Sequence, residues 1–156
     1  MRFAIFELAA FSLVAALGGN GGCTRPAEAP RAEVEQTVEG EALYAEHCAR
    51  CHGAAGAGGD KAPAIVGNAA LPLEPPPAAK VRREPFHTAK DVLDFVQTSM
   101  PADRPGSLTA DESGAIVAFV LHATGVDLEH RRVTGGTAST FVLHSEPAKE
   151  RVSDVP

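Results

Sequence analysis

The pentapeptide Cys48-Ala49-Arg50-Cys51-His52 constrains this chain more than any other feature of its sequence. Two thiols three residues apart lie on one turn of a helix, so both can add to the vinyl groups of one haem. The histidine that follows directly can bind the haem iron as the proximal ligand. The motif therefore predicts one covalently bound haem c, with Cys48 and Cys51 as its anchors and His52 as an axial ligand of the iron.

A C-x-x-C pair also suits a thioredoxin-like dithiol or half of a zinc site. The dithiol interpretation needs a preceding strand, whereas the residues from Gly40 to His47 have the composition of a helix. A structural zinc site needs a second pair of Cys or His ligands, and no close pair follows downstream. A thiol-redox or metal-binding module without haem is therefore the weaker hypothesis, and it predicts a colourless protein with titratable thiols.

The N-terminal segment predicts export from the cytoplasm. A largely apolar run, interrupted by Glu7 and Ser12, extends to Leu17 and is too short to be typical of a membrane span. Residues 1–22 are therefore predicted to be an export signal to the periplasm. A retained membrane anchor is the alternative. Cys23 follows two glycines, as in the cleavage sites of bacterial lipoproteins, but Asn20 departs from that pattern. The sequence leaves open whether Cys23 is lipidated and holds the protein at a membrane surface.

Composition divides the remainder of the chain. Residues 23–37 are rich in Pro, Ala and charge and show no apolar periodicity, which predicts an extended linker. The folded domain is predicted over residues 38–127. Residues 128–156 form a C-terminal extension, either a flexible tail or a lone strand that packs on a partner. The formal net charge of -6 argues against a nucleic-acid binder.

Capping patterns predict two helices downstream of the motif. Thr88 is followed by Asp91 in the first turn of one helix. Thr109 and Glu112 form a capping box at the start of a last helix. Between the motif and Thr88, the proline-rich stretch at 71–77 predicts an extended loop. Arg82 and Arg83 predict a solvated basic patch, with contact to the haem propionates as the alternative.

In order and spacing, these features resemble those of class I cytochromes c. That family has a glycine and an aromatic residue in the first helix, C-x-x-C-H, a glycine-rich loop, a proline, a Met-Pro pair after a distal helix, and an amphipathic last helix. The corresponding residues here are Gly40, Tyr44, Cys48 to His52, Pro63, Met100-Pro101 and Phe119. The resemblance covers nearly all of residues 38–127. It implies an all-α small cytochrome c fold in which three to five helices wrap around one haem, with the first and last helices crossing at Gly40.

The resemblance also assigns the remaining site residues. The carbonyl of Pro63 is expected to accept a hydrogen bond from Nδ1 of His52, and Met100 is expected to be the second axial ligand. The chain has two methionines, so Met100 is the sole thioether left once a signal carrying Met1 is removed. His87 is the rival ligand, and a bis-histidine iron would have a lower potential.

The function implied by the resemblance is electron transfer and not catalysis. With both axial positions filled, no substrate can bind the iron, and single electrons pass between transient redox partner proteins outside the cytoplasm. Two alternatives stay open. The chain could be a fixed electron-entry subunit of a larger dehydrogenase or oxidase, or a haem enzyme or sensor whose distal site is open because Met100 does not bind.

Overall fold

The computed structural model describes residues 28–68 and 70–144. These residues form α1 (Glu28–His47), α2 (Ala49–His52), α3 (Ala89–Ser99) and α4 (Ala110–Ala123), followed by a 3-10 helix at Ala138–Thr140. Their β pairing amounts to one isolated bridge, between Thr88 and Val142. The prediction of an all-α fold with three to five helices is confirmed.

The export signal predicted at residues 1–22 and the lipidation candidate Cys23 lie outside the described residues. Among the helices that are described, none combines the length and the apolar character that a membrane span needs.

The core is built where α1 crosses α4 at Gly40. A Cβ atom at Gly40 would lie 1.9 Å from the carbonyl oxygen of Ala115, so the backbones could not approach this closely with any other residue. One turn further along α1, the ring of Tyr44 packs against the ring of Phe119 with 5.3 Å between the centroids. The predicted crossing of the first and last helices is therefore confirmed.

Both predicted helix starts are also confirmed. The backbone N–H of Thr88 donates to the carboxylate of Asp91 at 2.8 Å. The backbone N–H of Thr109 donates to the carboxylate of Glu112 at 2.8 Å, and the N–H of Glu112 donates back to the Thr109 hydroxyl at 3.2 Å. These bonds satisfy amide groups that have no partner within the first turn of a helix.

The linker interpretation is wrong for residues 28–37, which are the first half of α1. Pro30 lies in the first turn, where a missing N–H does not interrupt the helix. A polar side chain docks this half of α1, because Gln36 is 1% exposed. Its Nε2 donates to the carbonyl oxygen of Val133 at 2.9 Å, and the N–H of Val133 donates to its Oε1 at 2.8 Å. A polar anchor creates no apolar periodicity, so the sequence pattern does not reveal it.

The extension predicted after Asp127 is not a separate tail over its described part, residues 128–144. Leu128 and Phe141 are 1% and 3% exposed and belong to the same core as α3 and α4. The N–H of Ala89, at the start of α3, donates to the carbonyl oxygen of Phe141 at 2.9 Å. Both interpretations of this stretch are therefore wrong, because it packs on its own domain. Residues 145–156 lie outside the described part of the chain.

The Gly40 crossing predicts a clear effect of one methyl group. Gly40→Ala should lower the free energy of unfolding by about 1–3 kcal/mol, because the added carbon would displace the backbone at Ala115. Gly135→Ala is the control, since no atom lies within 4 Å of a Cβ atom built there, and its effect should stay within about 0.5 kcal/mol. Urea unfolding followed by circular dichroism measures both variants. Equal stabilities of the two would contradict the crossing.

The Gln36 anchor predicts that the first half of α1 contributes to stability. Gln36→Leu keeps the bulk of the side chain but leaves the N–H and C=O of Val133 buried without partners, which should cost about 1–3 kcal/mol. Glu39→Gln, an exposed change on the same helix, should stay within about 0.5 kcal/mol. The same urea unfolding experiment compares them. If Gln36→Leu unfolds with the same free energy as wild type, residues 28–37 do not dock on the domain.

Candidate functional site

The helix α1 places the Cys48–His52 motif at the edge of the core. The N–H of Cys48 donates to the carbonyl oxygen of Tyr44 at 2.8 Å, and the N–H of His52 donates to that of Cys48 at 3.0 Å. The motif is therefore one helical turn that follows α1 directly. The hydroxyl of Tyr44 donates to the carbonyl oxygen of Gly53 at 2.7 Å, which ties the far end of this turn to the α1–α4 crossing.

Cys48 and Cys51 are free, half-buried thiols on this turn. Burial, and secondarily the charge of Cys51, raises the pKa of Cys48 to about 11. Thioredoxin-like sites lower the pKa of the attacking cysteine, so this environment does not suit a dithiol. Within the described residues, no three His, Cys, Asp or Glu side chains group as ligands of a metal ion.

A backbone carbonyl fixes the orientation of the motif histidine. Nδ1 of His52 lies 2.8 Å from the carbonyl oxygen of Pro63. A carbonyl can only accept a hydrogen bond, so Nδ1 carries the proton and the lone pair of Nε2 is free to bind a metal ion. The glycine-rich loop supports this contact, because a Cβ atom at Gly58 would lie 2.4 Å from the backbone nitrogen of Ala64. Glycine thus lets the loop pack closely on the segment that carries Pro63.

Met100 ends α3 in a half-buried position, and Pro101 prevents the helix from continuing. The chain then turns back, with the N–H of Arg104 donating to the carbonyl oxygen of Pro101 at 2.8 Å. In this turn, Oδ2 of Asp103 lies 2.6 Å from Nη2 of Arg50 in α2. The loop that carries Met100 therefore contacts the helix that carries the thiols.

The rival ligand His87 lies at the other end of α3 from Met100. This helix has 11 residues, so its ends are separated by about 16 Å. The end at Met100 is the one joined to α2 through Asp103. The backbone N–H of His87 donates to the carboxylate of Asp91 at 3.0 Å, which holds it at the start of the helix. The geometry favours Met100 over His87 as the second ligand, and that assignment stays a prediction.

Arg82 has a role in the fold that the sequence interpretation misses. It is 8% exposed and is not part of a solvated patch. Its guanidinium lies 3.6 Å from the centroid of the Phe86 ring and donates to the carbonyl oxygens of Leu73 and Glu84. Burial lowers the pKa of Arg82 from its ordinary value. Arg82 thereby holds the proline-rich loop, residues 71–77, against the segment that leads into α3. The only sign of this arrangement in the sequence is the aromatic residue Phe86, four positions after Arg82.

The donors assembled here fit haem c. Two free thiols on one turn can form the two thioether bonds, and the imidazole directly after them has one nitrogen oriented by Pro63 and the other free. Cys48, Cys51, His52 and Pro63 are brought together by bonds within residues 44–66. The loop after Met100 contacts α2 through Asp103 and Arg50.

Comparisons with known proteins agree with this chemistry. Residues 35–120, more than half of the chain, match the family described as "Cytochrome C oxidase, cbb3-type, subunit III". No curated protein matches the chain.

The structure is similar to a chain in the crystal structure of the sulfane dehydrogenase SoxCD from Paracoccus pantotrophus, with a TM-score of 0.53 and 26% sequence identity. The match covers 76% of this chain and 60% of the other, so this chain spans less than two thirds of that relative. With the C-x-x-C-H turn and its oriented histidine, the family match shows that this chain belongs to the class I c-type cytochromes and binds haem c covalently.

Proposed function

We propose that this cytochrome carries single electrons between redox partner proteins outside the cytoplasm. Cys48 and Cys51 would attach one haem, and His52 and Met100 would bind its iron. When bound, the haem supplies the Fe(III)/Fe(II) couple. The observation that carries the proposal is the 2.8 Å contact between Nδ1 of His52 and the carbonyl oxygen of Pro63, because proteins orient axial and metal-binding histidines in this way.

The residues of the site suit a carrier. The thioether of Met100 is a weak donor, which favours reduced iron and a potential toward the high end for c-type haem. Cys48, Cys51 and His52 are only half-buried, so a partner can approach this edge in a short contact of small area. The net charge of -6 favours encounters with basic partner surfaces. The export signal predicted at residues 1–22 supports a location in the periplasm, and Cys23 leaves room for a lipid anchor.

The spectrum of the matured protein tests this ligand set. Oxidised wild-type protein should be low-spin with a weak far-red absorption band, because a sulfur ligand binds the iron, and Met100→Ala should lose that band. His87→Ala is the matched control and should keep it. Absorption spectra of the oxidised and reduced forms, produced in a host that attaches haem c during export, provide the measurement.

Three outcomes would contradict the proposal. A high-spin wild type would indicate an open distal site and a haem enzyme or sensor. A low-spin wild type that lacks the far-red band, becomes high-spin in His87→Ala and is unchanged in Met100→Ala would assign the ligand to His87. A colourless product with free Cys48 and Cys51 would overturn the binding of haem itself.

A second candidate is a fixed electron-entry subunit of a larger dehydrogenase or oxidase. The similarity to a chain of a sulfane dehydrogenase, and the oxidase subunit named in the family description, favour it. The chemistry at the iron would be the same as in a carrier. The difference lies in the lifetime of the contact with the partner.

Native size distinguishes the two candidates. A carrier should elute from a size-exclusion column as a monomer of the matured chain, whose full sequence has a mass of 16.2 kDa, when a native extract is run at high ionic strength, because short electrostatic contacts are screened by salt. A fixed subunit should elute entirely with a larger complex under the same conditions. Haem staining of the fractions locates the protein. Full retention in the large fraction would replace the carrier by the subunit.

A further inference from the structure

Arg50 and Asp103 connect the two halves of the site. Arg50 lies between the two cysteines, and Asp103 lies three residues after Met100. Their side chains meet with 2.6 Å between Nη2 and Oδ2. We propose that this ion pair is a positioning contact that holds the Met100 loop against the haem-attachment helix and so keeps the Met100 thioether on the iron. The inference rests on the proposed function, since it requires Met100 to be the ligand.

Both partners of the pair belong to short segments that backbone hydrogen bonds hold in place. Arg50 belongs to α2, which is bonded to α1 at one end and to the Tyr44 hydroxyl just beyond the other. Asp103 belongs to the turn that the Arg104 N–H closes on the Pro101 carbonyl at 2.8 Å. Pro101 is buried, so this turn is seated on the domain. Moving Met100 away from α2 would therefore break the ion pair or distort one of these segments.

A second contact runs in parallel. Nη2 of Arg104 lies 3.5 Å from Nδ1 of His47, whose side chain is 15% exposed. His47 and Arg50 flank Cys48 in the chain. Two successive loop residues thus contact the attachment turn on both sides of its first cysteine, which indicates a docked loop and not a chance approach of two surface charges.

The pair should have a modest effect that depends on salt. The side chains of Arg50 and Asp103 are 67% and 48% exposed, so water and ions screen them. Arg50 and Asp103 are both charged at neutral pH on the ordinary pKa values of their side chains, and the hydrogen bond between them raises the pKa of Arg50 and lowers the pKa of Asp103. Exposed pairs of this kind shift an equilibrium by about two- to fivefold. The equilibrium concerned is the exchange of Met100 for a ligand from solvent.

The experiment measures imidazole binding to the oxidised holoprotein through loss of the far-red band, at a pH where imidazole is neutral. Arg50→Gln and Asp103→Asn should each bind imidazole about two- to fivefold more tightly than wild type. Without the ion pair, the loop no longer favours the position in which Met100 binds the iron. The double variant, Arg50→Gln with Asp103→Asn, keeps the net charge of wild type. It should bind imidazole at least as tightly as either single variant does. Exchanging the charges, with Arg50→Glu and Asp103→Lys together, should restore binding toward the wild-type value.

The Lys90–Asp94 pair provides a matched control. It has the same 2.6 Å separation and comparable exposure, but both residues lie on α3 and join no second segment. Lys90→Gln and Asp94→Asn should leave imidazole binding unchanged. At about 1 M salt, the difference between Asp103→Asn and wild type should disappear.

The outcomes separate this inference from the proposed function. If wild type lacks the far-red band, or Met100→Ala retains it, the ligand assignment fails. If the band depends on Met100 while the Arg50 and Asp103 variants bind imidazole as wild type does, the positioning role is overturned and the ligand assignment stands. Equal effects in the control pair would also overturn it, because they would indicate a general response to charge.

Discussion

The approach of α1 to α4 at Gly40 determines where the rest of the site lies. Tyr44 follows one turn later, and its buried phenol needs a hydrogen-bond acceptor because an unpaired polar group inside the core is costly. That acceptor is the carbonyl of Gly53, immediately after His52. The backbone of Tyr44 also accepts the N–H of Cys48. The helix crossing and the attachment turn are therefore one structural unit, and a shift in the crossing would be transmitted to both cysteines and the histidine.

The two sides of the site are held by different kinds of contact. On the proximal side, His52 bonds a backbone carbonyl, which does not titrate, so the proton on Nδ1 does not depend on the ionisation of its partner. On the distal side, the loop after Met100 is joined to α2 by an exposed ion pair of Arg50 and Asp103. The Arg50–Asp103 contact weakens as salt rises, whereas the hydrogen bond to the Pro63 carbonyl involves no ion pair for salt to screen. If Met100 is the second ligand, as proposed, exchange of a ligand is expected on its side of the site.

The features that the sequence predicts correctly depend on neighbouring residues or on simple steric limits. The caps at Thr88 and Thr109 join residues three apart, and Gly40 is required by the close crossing of two helices. The docking of residues 28–37, which the sequence misses, depends on a polar contact over a long separation. Gln36 and Val133 are 97 residues apart in the chain, and neither belongs to a recognisable motif. Hydrophobic periodicity finds apolar faces only, so it cannot detect a helix that docks through a buried amide.

The two misinterpreted segments pack against each other, and this limits what the C-terminal one can do. Glu33 of α1 lies 3.3 Å from Nδ1 of His130, and Gln36 bonds Val133. Each segment thus supplies partners to polar groups of the other, so the two are expected to fold together. The described part of the extension, residues 128–144, also contributes Leu128 and Phe141 to the core of the domain. Because Leu128 and Phe141 are already covered by their own domain, they cannot also be presented to another protein.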